Sequence, residues 1–243
     1  MQLLLRSVRA ALWSQPDDGL GRLVEEPVDW PVFHAAAVAN KLGVLVIRGL
    51  ALSSAELAGP QAGVLEGFRK RTLQVNGINL ITVREVVPAL STAGVETLLI
   101  KGPVHQKELY GNYFIRPSGD VDLLVRRDQF DEAARLLEVS GYFRPAEGAS
   151  LWWKLFLGEQ PFLSTEGRRS TIDLHHRTQQ PGCPAPRLGD VFFQRGEAKA
   201  VGGAKVAVMA KADAALLACM SLAKALSHRE AAGSFRNTAM SQA

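Results

Sequence analysis

The sequence contains little cysteine, only a small excess of positive charge and no long apolar run. Its 243 residues include two cysteines, Cys183 and Cys219, whose separation matches no metal-binding or redox motif. This cysteine usage is typical of reduced thiols, so we expect a cytoplasmic protein. The formal net charge of +4 permits an anionic substrate but gives no indication of nucleic acid as a partner.

Apolar residues do not cluster into a segment that would cross a bilayer, which requires roughly 20 of them in succession. The apolar run over residues 43–47 is short, and the run over 214–220 is bordered by charged residues. The N-terminal sequence MQLLLRSVRAALW is interrupted by Arg6 and Arg9, which is unlike a signal peptide. We therefore expect no membrane partner.

The composition is that of a globular protein, with 47% hydrophobic and 21% charged residues. We divide the chain into a mostly helical region over residues 1–94, a core over 95–200, and a C-terminal part over 201–243. In the helical region, Asp29 and Pro31 predict the start of a helix over 30–41. A longer helix is predicted over 64–87, where Asn76-Gly77 indicates a break or kink. The C-terminal part is expected to hold a hairpin end at Gly202-Gly203, a helix over 212–225 and a frayed tail.

Several local signals lie close together in the core. A short β-type run over residues 96–101 ends in Lys101-Gly102. Pro103 in a first turn and Gly111 after a last turn predict a helix over 103–110. An apolar strand is then predicted over 120–125, followed by an amphipathic helix over 128–139 with Asp128 as its N-cap.

Two acids interrupt the apolar strand at 120–125. Side chains alternate between the faces of a strand, so Asp120 and Asp122 share one face. Neighbouring carboxylates repel each other, and a divalent cation relieves that repulsion. Oxygen-rich pairs of this kind suit Mg²⁺. The alternative is that the D-x-D sequence only marks the polar face of a half-exposed strand.

A third acid lies on a second alternating stretch, RRSTIDLHHR, over residues 168–177. There, Thr171, Asp173 and His175 are predicted to share one face, and Ile172 and Leu174 the other. An edge strand with a polar face is again the alternative. The pattern gives His175 no role of its own.

These motifs together resemble a known family. The sequence K-G, then L-Y-G, R-P-x-x-D-V-D-L-L-V, a helix ending L-L-x-x-x-G-Y, and I-D-L-H-H-R resembles the uncharacterised nucleotidyltransferase family of the DNA polymerase β superfamily. The resemblance covers residues 98–177. It implies an α+β fold, with a nucleotidyltransferase-like mixed β-sheet flanked by helices and preceded by a helical region.

The resemblance also implies a set of site residues. It assigns metal-ligand and catalytic roles to three acids, Asp120, Asp122 and Asp173. It assigns contact with a nucleotide's phosphates to Lys101, Gly102 and Arg116. The implied cofactor is Mg²⁺ or Mn²⁺, bound between these acids and a nucleoside triphosphate substrate.

The implied activity is transfer of a nucleoside monophosphate from the triphosphate to an unidentified acceptor hydroxyl or phosphate, by a two-metal mechanism that releases pyrophosphate. An alternative is a non-catalytic nucleotide- or partner-binding module with the same fold. A third is a phosphohydrolase that uses water as the acceptor. Retention of all three acids favours the first function, and the short, weakly patterned C-terminal end favours the second.

Overall fold

The computed structural model describes residues 1–57, 59–146, 152–178 and 189–221. The α-helices in these ranges are α1 (Gln2–Trp13), α2 (Leu20–Glu25), α3 (Trp30–Ala39), α4 (Gly43–Leu52), α5 (Pro60–Thr92), α6 (Pro103–Tyr110), α7 (Phe130–Val139) and α8 (Asp190–Arg195). The strands are β1 (Thr97–Leu99), β2 (Asp120–Val125), β3 (Tyr142–Phe143), β4 (Glu159–Ser164), β5 (Thr171–His175), β6 (Glu197–Val201) and β7 (Ala204–Val208). A 3-10 turn covers Arg127–Gln129, a π-helical segment covers Trp152–Leu157, and residues 211–221 are helical.

The described helices fall into two compact units of the chain. The first contains Met1–Thr82, Gly102–Asp120 and Arg168–Ser170, and the second contains the remaining described residues. The predicted division at residues 94 and 200 stays a prediction. None of the described helices is by itself long and apolar enough to cross a bilayer. Helices α3 and α4 together have the required length and apolar composition, but they are bent by 114° relative to each other.

The first four helices share an apolar core. It includes Leu3 of α1, Leu20 of α2, Phe33 of α3 and Val46 of α4, each at most 3% exposed. Helix α3 starts as predicted, because the Asp29 carboxylate accepts the Val32 backbone N–H at 3.1 Å.

Helix α5 corrects one expectation from the sequence. It runs unbroken through Asn76-Gly77 and through Pro88. The Asn76 side chain is buried and bonds to distant backbone groups, so it does not compete for its own helix's hydrogen bonds. Pro88 removes one N–H from the helix, and the turns on either side maintain the helical backbone.

Helix α5 has a row of buried polar side chains, of which Asn76 and Asn79 hold the loop that leads to β2. We call Thr72, Asn76, Asn79 and Thr82 the polar row of α5. Asn76 donates to the carbonyls of Tyr113 and Arg116 at 2.6 and 2.8 Å. Its own side-chain oxygen accepts the Ser118 N–H at 2.9 Å. Asn79 donates to the carbonyls at Ser118 and Asp120, which fixes the loop backbone up to the first residue of β2.

The strands form one seven-stranded sheet in the order β3-β4-β5-β2-β1-β7-β6. Strand β1 is antiparallel to β2 and parallel to β7, so the sheet is mixed. On one face, Leu98 and Leu124 pack with Phe192 of α8 and Leu217 of the final helical segment. A mixed sheet flanked by helices confirms the predicted nucleotidyltransferase-like fold class.

Local signals placed most of the core elements correctly. Helix α6 has the predicted bounds, with Pro103 in its first turn and Gly111 at φ 68° after its end. The hairpin of β6 and β7 turns at Gly202 and Gly203, whose φ angles of 59° and 88° favour glycine.

Other boundaries differ from the sequence prediction or lie partly outside the described residues. Helix α7 starts at Phe130 and not after Asp128, because a 3-10 turn forms first over Arg127–Gln129. The predicted helix over 212–225 is helical up to residue 221. Its remainder and the predicted tail lie outside the described residues.

Candidate active site

Strand β2 places one of the predicted acids inside the protein. Asp122 is 6% exposed, and its neighbours in the strand are fully buried. The flanking apolar residues Val121 and Leu123 provide the burial that keeps the strand in the middle of the sheet. A carboxylate at such a position needs compensating partners, because burial of an unpaired charge is costly.

Strand β5 lies beside β2 and brings two further polar side chains to Asp122. Ile172 and Leu174 are fully buried on one face of β5, and Asp173 and His175 point to the other. One ligand atom from each of Asp122, Asp173 and His175 lies within 4.8 Å of the other two. We call these three residues the acid–histidine group.

His175 lies between two carboxylates. Its Nε2 is 3.2 Å from Asp122 Oδ1, and its Nδ1 is 3.4 Å from Glu159 Oε2. Glu159 is the direct partner of His175 in the antiparallel pairing of β4 with β5. Directly opposite residues extend from the same face of a sheet, so the pairing sets the Glu159–His175 contact.

Lys101 supplies a positive charge to the same oxygen. Its Nζ donates to Asp122 Oδ1 at 3.0 Å, and its side chain is 44% exposed. Burial by itself raises the pKa of Asp122, but the hydrogen bond from His175 and the charge of Lys101 outweigh it and lower this pKa to about 2. Asp122 is therefore ionised at neutral pH.

The remaining predicted site residues lie on the first unit. Asp120 is the half-buried first residue of β2 and is not one of the acid–histidine group. Gly102 precedes α6 with φ 70°, and an added Cβ would lie 3.4 Å from Ser118 Oγ and 3.6 Å from the Asp120 carbonyl oxygen. Gln106 bonds to both backbone groups of Arg116, and the Arg116 Nε is buried without a hydrogen-bond partner. The ligand role of Asp120 and the phosphate roles of Lys101, Gly102 and Arg116 stay predictions.

The sequence reasoning missed the surroundings of His175. It named no strand at β4, although alternation there buries Gln160 and Phe162 and leaves Glu159 and Pro161 on the other face. That alternation is a signal for a strand. The pairing of Glu159 with His175 has no local signal, because it depends on the register between two strands.

The donors of the acid–histidine group suit a divalent cation. Two carboxylates and one imidazole offer oxygen and nitrogen ligands, and both types bind divalent metals in proteins. The ionised state of Asp122 favours a cation further. The residues present therefore fit a divalent metal.

Comparison with protein families identifies the class of protein. The model of an uncharacterised nucleotidyltransferase family matches residues 26–234, which is more than half of the chain. The protein belongs to this family, and membership supports a general transferase activity. No curated protein matches the chain.

Proposed function

We propose that this protein transfers a nucleoside monophosphate from a nucleoside triphosphate to a hydroxyl or phosphate of an acceptor, with release of pyrophosphate. The observation that carries this proposal is the convergence of Asp122 and Asp173 from neighbouring strands in a member of a nucleotidyltransferase family. One or two carboxylates, together with the phosphates of the substrate, are the usual ligands of Mg²⁺ in such reactions.

The acids have separate roles in the proposed reaction. Asp120 and Asp122 would hold two divalent ions, Mg²⁺ or Mn²⁺, and Asp173 would complete the coordination of the ion on the side of the acceptor. When bound, the ions neutralise charge on the triphosphate and lower the pKa of the acceptor hydroxyl. Asp173 is placed on β5 beside Asp122, and in the proposal it accepts the acceptor's proton.

The turn at Lys101-Gly102 is the proposed phosphate site. Helix α6 starts at Pro103, and a helix start offers unpaired N–H groups and the positive end of the helix dipole. Gly102 has no side chain, so a phosphate oxygen is able to approach its backbone closely. Lys101 and Arg116 add positive charge suited to phosphate.

One observation favours a second function, a non-catalytic nucleotide- or partner-binding module. The Lys101 ammonium lies 3.0 Å from Asp122 Oδ1, where it already balances the negative charge of that carboxylate. A protein that kept the fold without its chemistry would be stable with this pair and need no metal.

The experiment that separates the two functions measures where the α-phosphorus and the γ-phosphorus of the triphosphate go. The protein is incubated with each nucleoside triphosphate, labelled at the α or γ phosphorus, in Mg²⁺ or Mn²⁺ with a cell extract as acceptor source. Transfer is supported if pyrophosphate is released only when the metal is present and the α-phosphorus label appears on an acceptor molecule. Release of free nucleoside monophosphate and pyrophosphate in its place supports hydrolysis, and binding without release supports the non-catalytic module.

A pair of variants connects the result to the site. Asp173→Asn removes one charge of the acid–histidine group, and Asp128→Asn removes a charge from the exposed 3-10 turn. We expect the first to abolish transfer and the second to retain it, with both proteins folded in a thermal melt. Transfer that persists in Asp173→Asn would contradict the proposed site.

A further inference from the structure

We propose that His175 binds the metal directly, so that Asp122, Asp173 and His175 form a mixed oxygen–nitrogen centre that prefers a divalent transition ion to Mg²⁺. This inference rests on the proposed function, because it concerns the metal of the same site. The inference names the class of ion that the site binds. It also adds His175 to the ligands that the sequence predicts, which are all carboxylates.

The distances within the group fit shared coordination. His175 Nε2 and Asp122 Oδ1 are 3.2 Å apart, and all three donors lie within 4.8 Å of one another. Two donors at right angles on one metal, with bonds of about 2.1 Å, are about 3.0 Å apart. Donors on opposite sides of that metal are about 4.2 Å apart, which also lies within the span of the group.

The two ring nitrogens of His175 allow this arrangement. A neutral histidine carries one N–H, so it donates to only one of two carboxylates at a time. Without a metal, Nε2 carries that proton and donates to Asp122 Oδ1 at 3.2 Å. A cation bound by both atoms would take the place of this hydrogen, and Nδ1 would then carry the N–H, with Glu159 Oε2 3.4 Å away as its acceptor.

Glu159 completes a pattern found around metal-bound histidines. Such a histidine almost always donates its other ring N–H to a carboxylate or a carbonyl, which fixes its tautomer and orientation. Glu159 is half-buried and lies directly opposite His175 in the pairing of β4 with β5. The strand register therefore holds the supporting carboxylate beside the ring, and Glu159 is a positioning residue.

Nitrogen in the donor set determines which ions the site prefers. Mg²⁺ favours oxygen ligands and keeps several waters, whereas imidazole suits transition ions. A site with two carboxylates and one imidazole accordingly binds Co²⁺ more tightly than it binds Mg²⁺. An all-carboxylate site discriminates less between these ions.

The test measures metal binding to the full chain without nucleotide. Co²⁺, Mn²⁺ and Mg²⁺ are titrated into wild type, His175→Gln and Glu159→Gln, with folding checked by circular dichroism. We expect His175→Gln to weaken Co²⁺ binding by about tenfold or more and Mg²⁺ binding by less than about threefold. Glu159→Gln should weaken Co²⁺ binding by about tenfold, as loss of a supporting carboxylate typically does.

A spectroscopic measurement distinguishes a bound histidine from a nearby one. Pulsed electron paramagnetic resonance of the Mn²⁺ protein should show coupling to imidazole nitrogen, and ¹⁵N-histidine labelling should change that coupling. It should disappear in His175→Gln and persist in His176→Gln. His176 is a matched control, since it is the next residue and its ring packs on Phe130 with centroids 5.1 Å apart.

The outcomes separate this inference from the proposed function. Unchanged Co²⁺ affinity in folded His175→Gln, or Mn²⁺ bound without nitrogen coupling, would overturn the histidine ligand, even if nucleotidyl transfer proceeds in Mg²⁺. Nitrogen coupling in a protein that transfers no nucleotide would support the ligand and count against the function.

Discussion

The polar row of α5 is buried, as are Asp122 and His175 of the acid–histidine group, yet the two regions differ in the partners they contact. Asn76 bonds to three backbone groups of the loop before β2, and Gln106 of α6 bonds to both backbone groups of Arg116. These contacts are between neutral groups of the chain, although Asn79 Oδ1 of the polar row is buried without a hydrogen-bond partner. In the acid–histidine group, by contrast, ionisable side chains lie against one another.

The difference indicates which region is built for a ligand. Neutral amides bonded to backbone lower the free energy of the folded chain without any further partner. A group of two carboxylates and an imidazole is costly to bury and is stabilised by a cation, which in this structure is the Lys101 ammonium. Buried titratable groups of this kind cluster at functional sites.

The largest effect is expected from the charged region. Asp122→Asn should lower nucleotidyl transfer by at least about 10³-fold, because the central acid of the group loses its charge. The variant should remain folded, since asparagine has nearly the same shape. Product formation with saturating Mn²⁺ measures the loss, and activity within tenfold of wild type would make Asp122 a structural residue only.

A loss of stability is expected instead from the neutral region. Asn76→Leu leaves the Tyr113 carbonyl and the Ser118 N–H without their partner, while the Arg116 carbonyl keeps its bond from Gln106, so the free energy of unfolding should fall by about 2–4 kcal/mol. Urea denaturation gives the value. Asn40→Ala, at an exposed helix end, serves as the control and should change stability by less than about 1 kcal/mol.

These two regions also show what sequence reasoning is able to reach. Helix α6 and the Gly202-Gly203 hairpin were predicted correctly because proline and glycine act on the backbone of their immediate neighbours. The shared face of Asp173 and His175 followed from strand alternation, which is also local.

The failures arise where distant residues meet. Asn76-Gly77 predicts a helix break, but the Asn76 side chain bonds to a loop about 40 residues further along the chain. The expected repulsion at Asp122 is offset by Lys101 and His175, and the register that brings Glu159 to His175 is set by the pairing of β4 with β5. Only tertiary structure supplies these contacts.

An intermediate effect is expected on acidification without metal. The pKa of Asp122 in the folded protein is about 2, below its ordinary value of 3.8, so folding favours the ionised form. The resulting stability is complete above about pH 4 and is lost as the pH falls to about 2, with a total of about 2 kcal/mol. Unfolding free energies of wild type and Asp122→Asn in chelator should therefore converge over this range. Parallel curves for the two proteins would show that Asp122 does not titrate there.

The smallest effect concerns Lys101, where two consequences of one substitution have opposite signs. In Lys101→Ala, the loss of the pair with Asp122 should lower stability by less than about 1 kcal/mol, because the lysine side chain is 44% exposed and screened by water. Metal affinity should rise by about fivefold, since an ammonium 3.0 Å from Asp122 Oδ1 competes with a metal ion for that oxygen. Triphosphate affinity should fall by a similar factor if Lys101 also contacts phosphate, and both changes should shrink in high salt.

Calorimetric titration of Mn²⁺ and of a non-hydrolysable triphosphate measures the two Lys101 affinities separately. Lys205→Ala is the control, because it removes an exposed charge of the same type from the β6–β7 hairpin. If the metal and triphosphate affinities change equally in Lys101→Ala and Lys205→Ala, only the overall charge of the protein matters. Weaker metal binding in Lys101→Ala would mean that the lysine supports the geometry of Asp122 and does not compete with the metal. Tighter metal binding together with weaker triphosphate binding would indicate that Lys101 pairs with the Asp122 carboxylate in the free protein and with the phosphates when the triphosphate is bound.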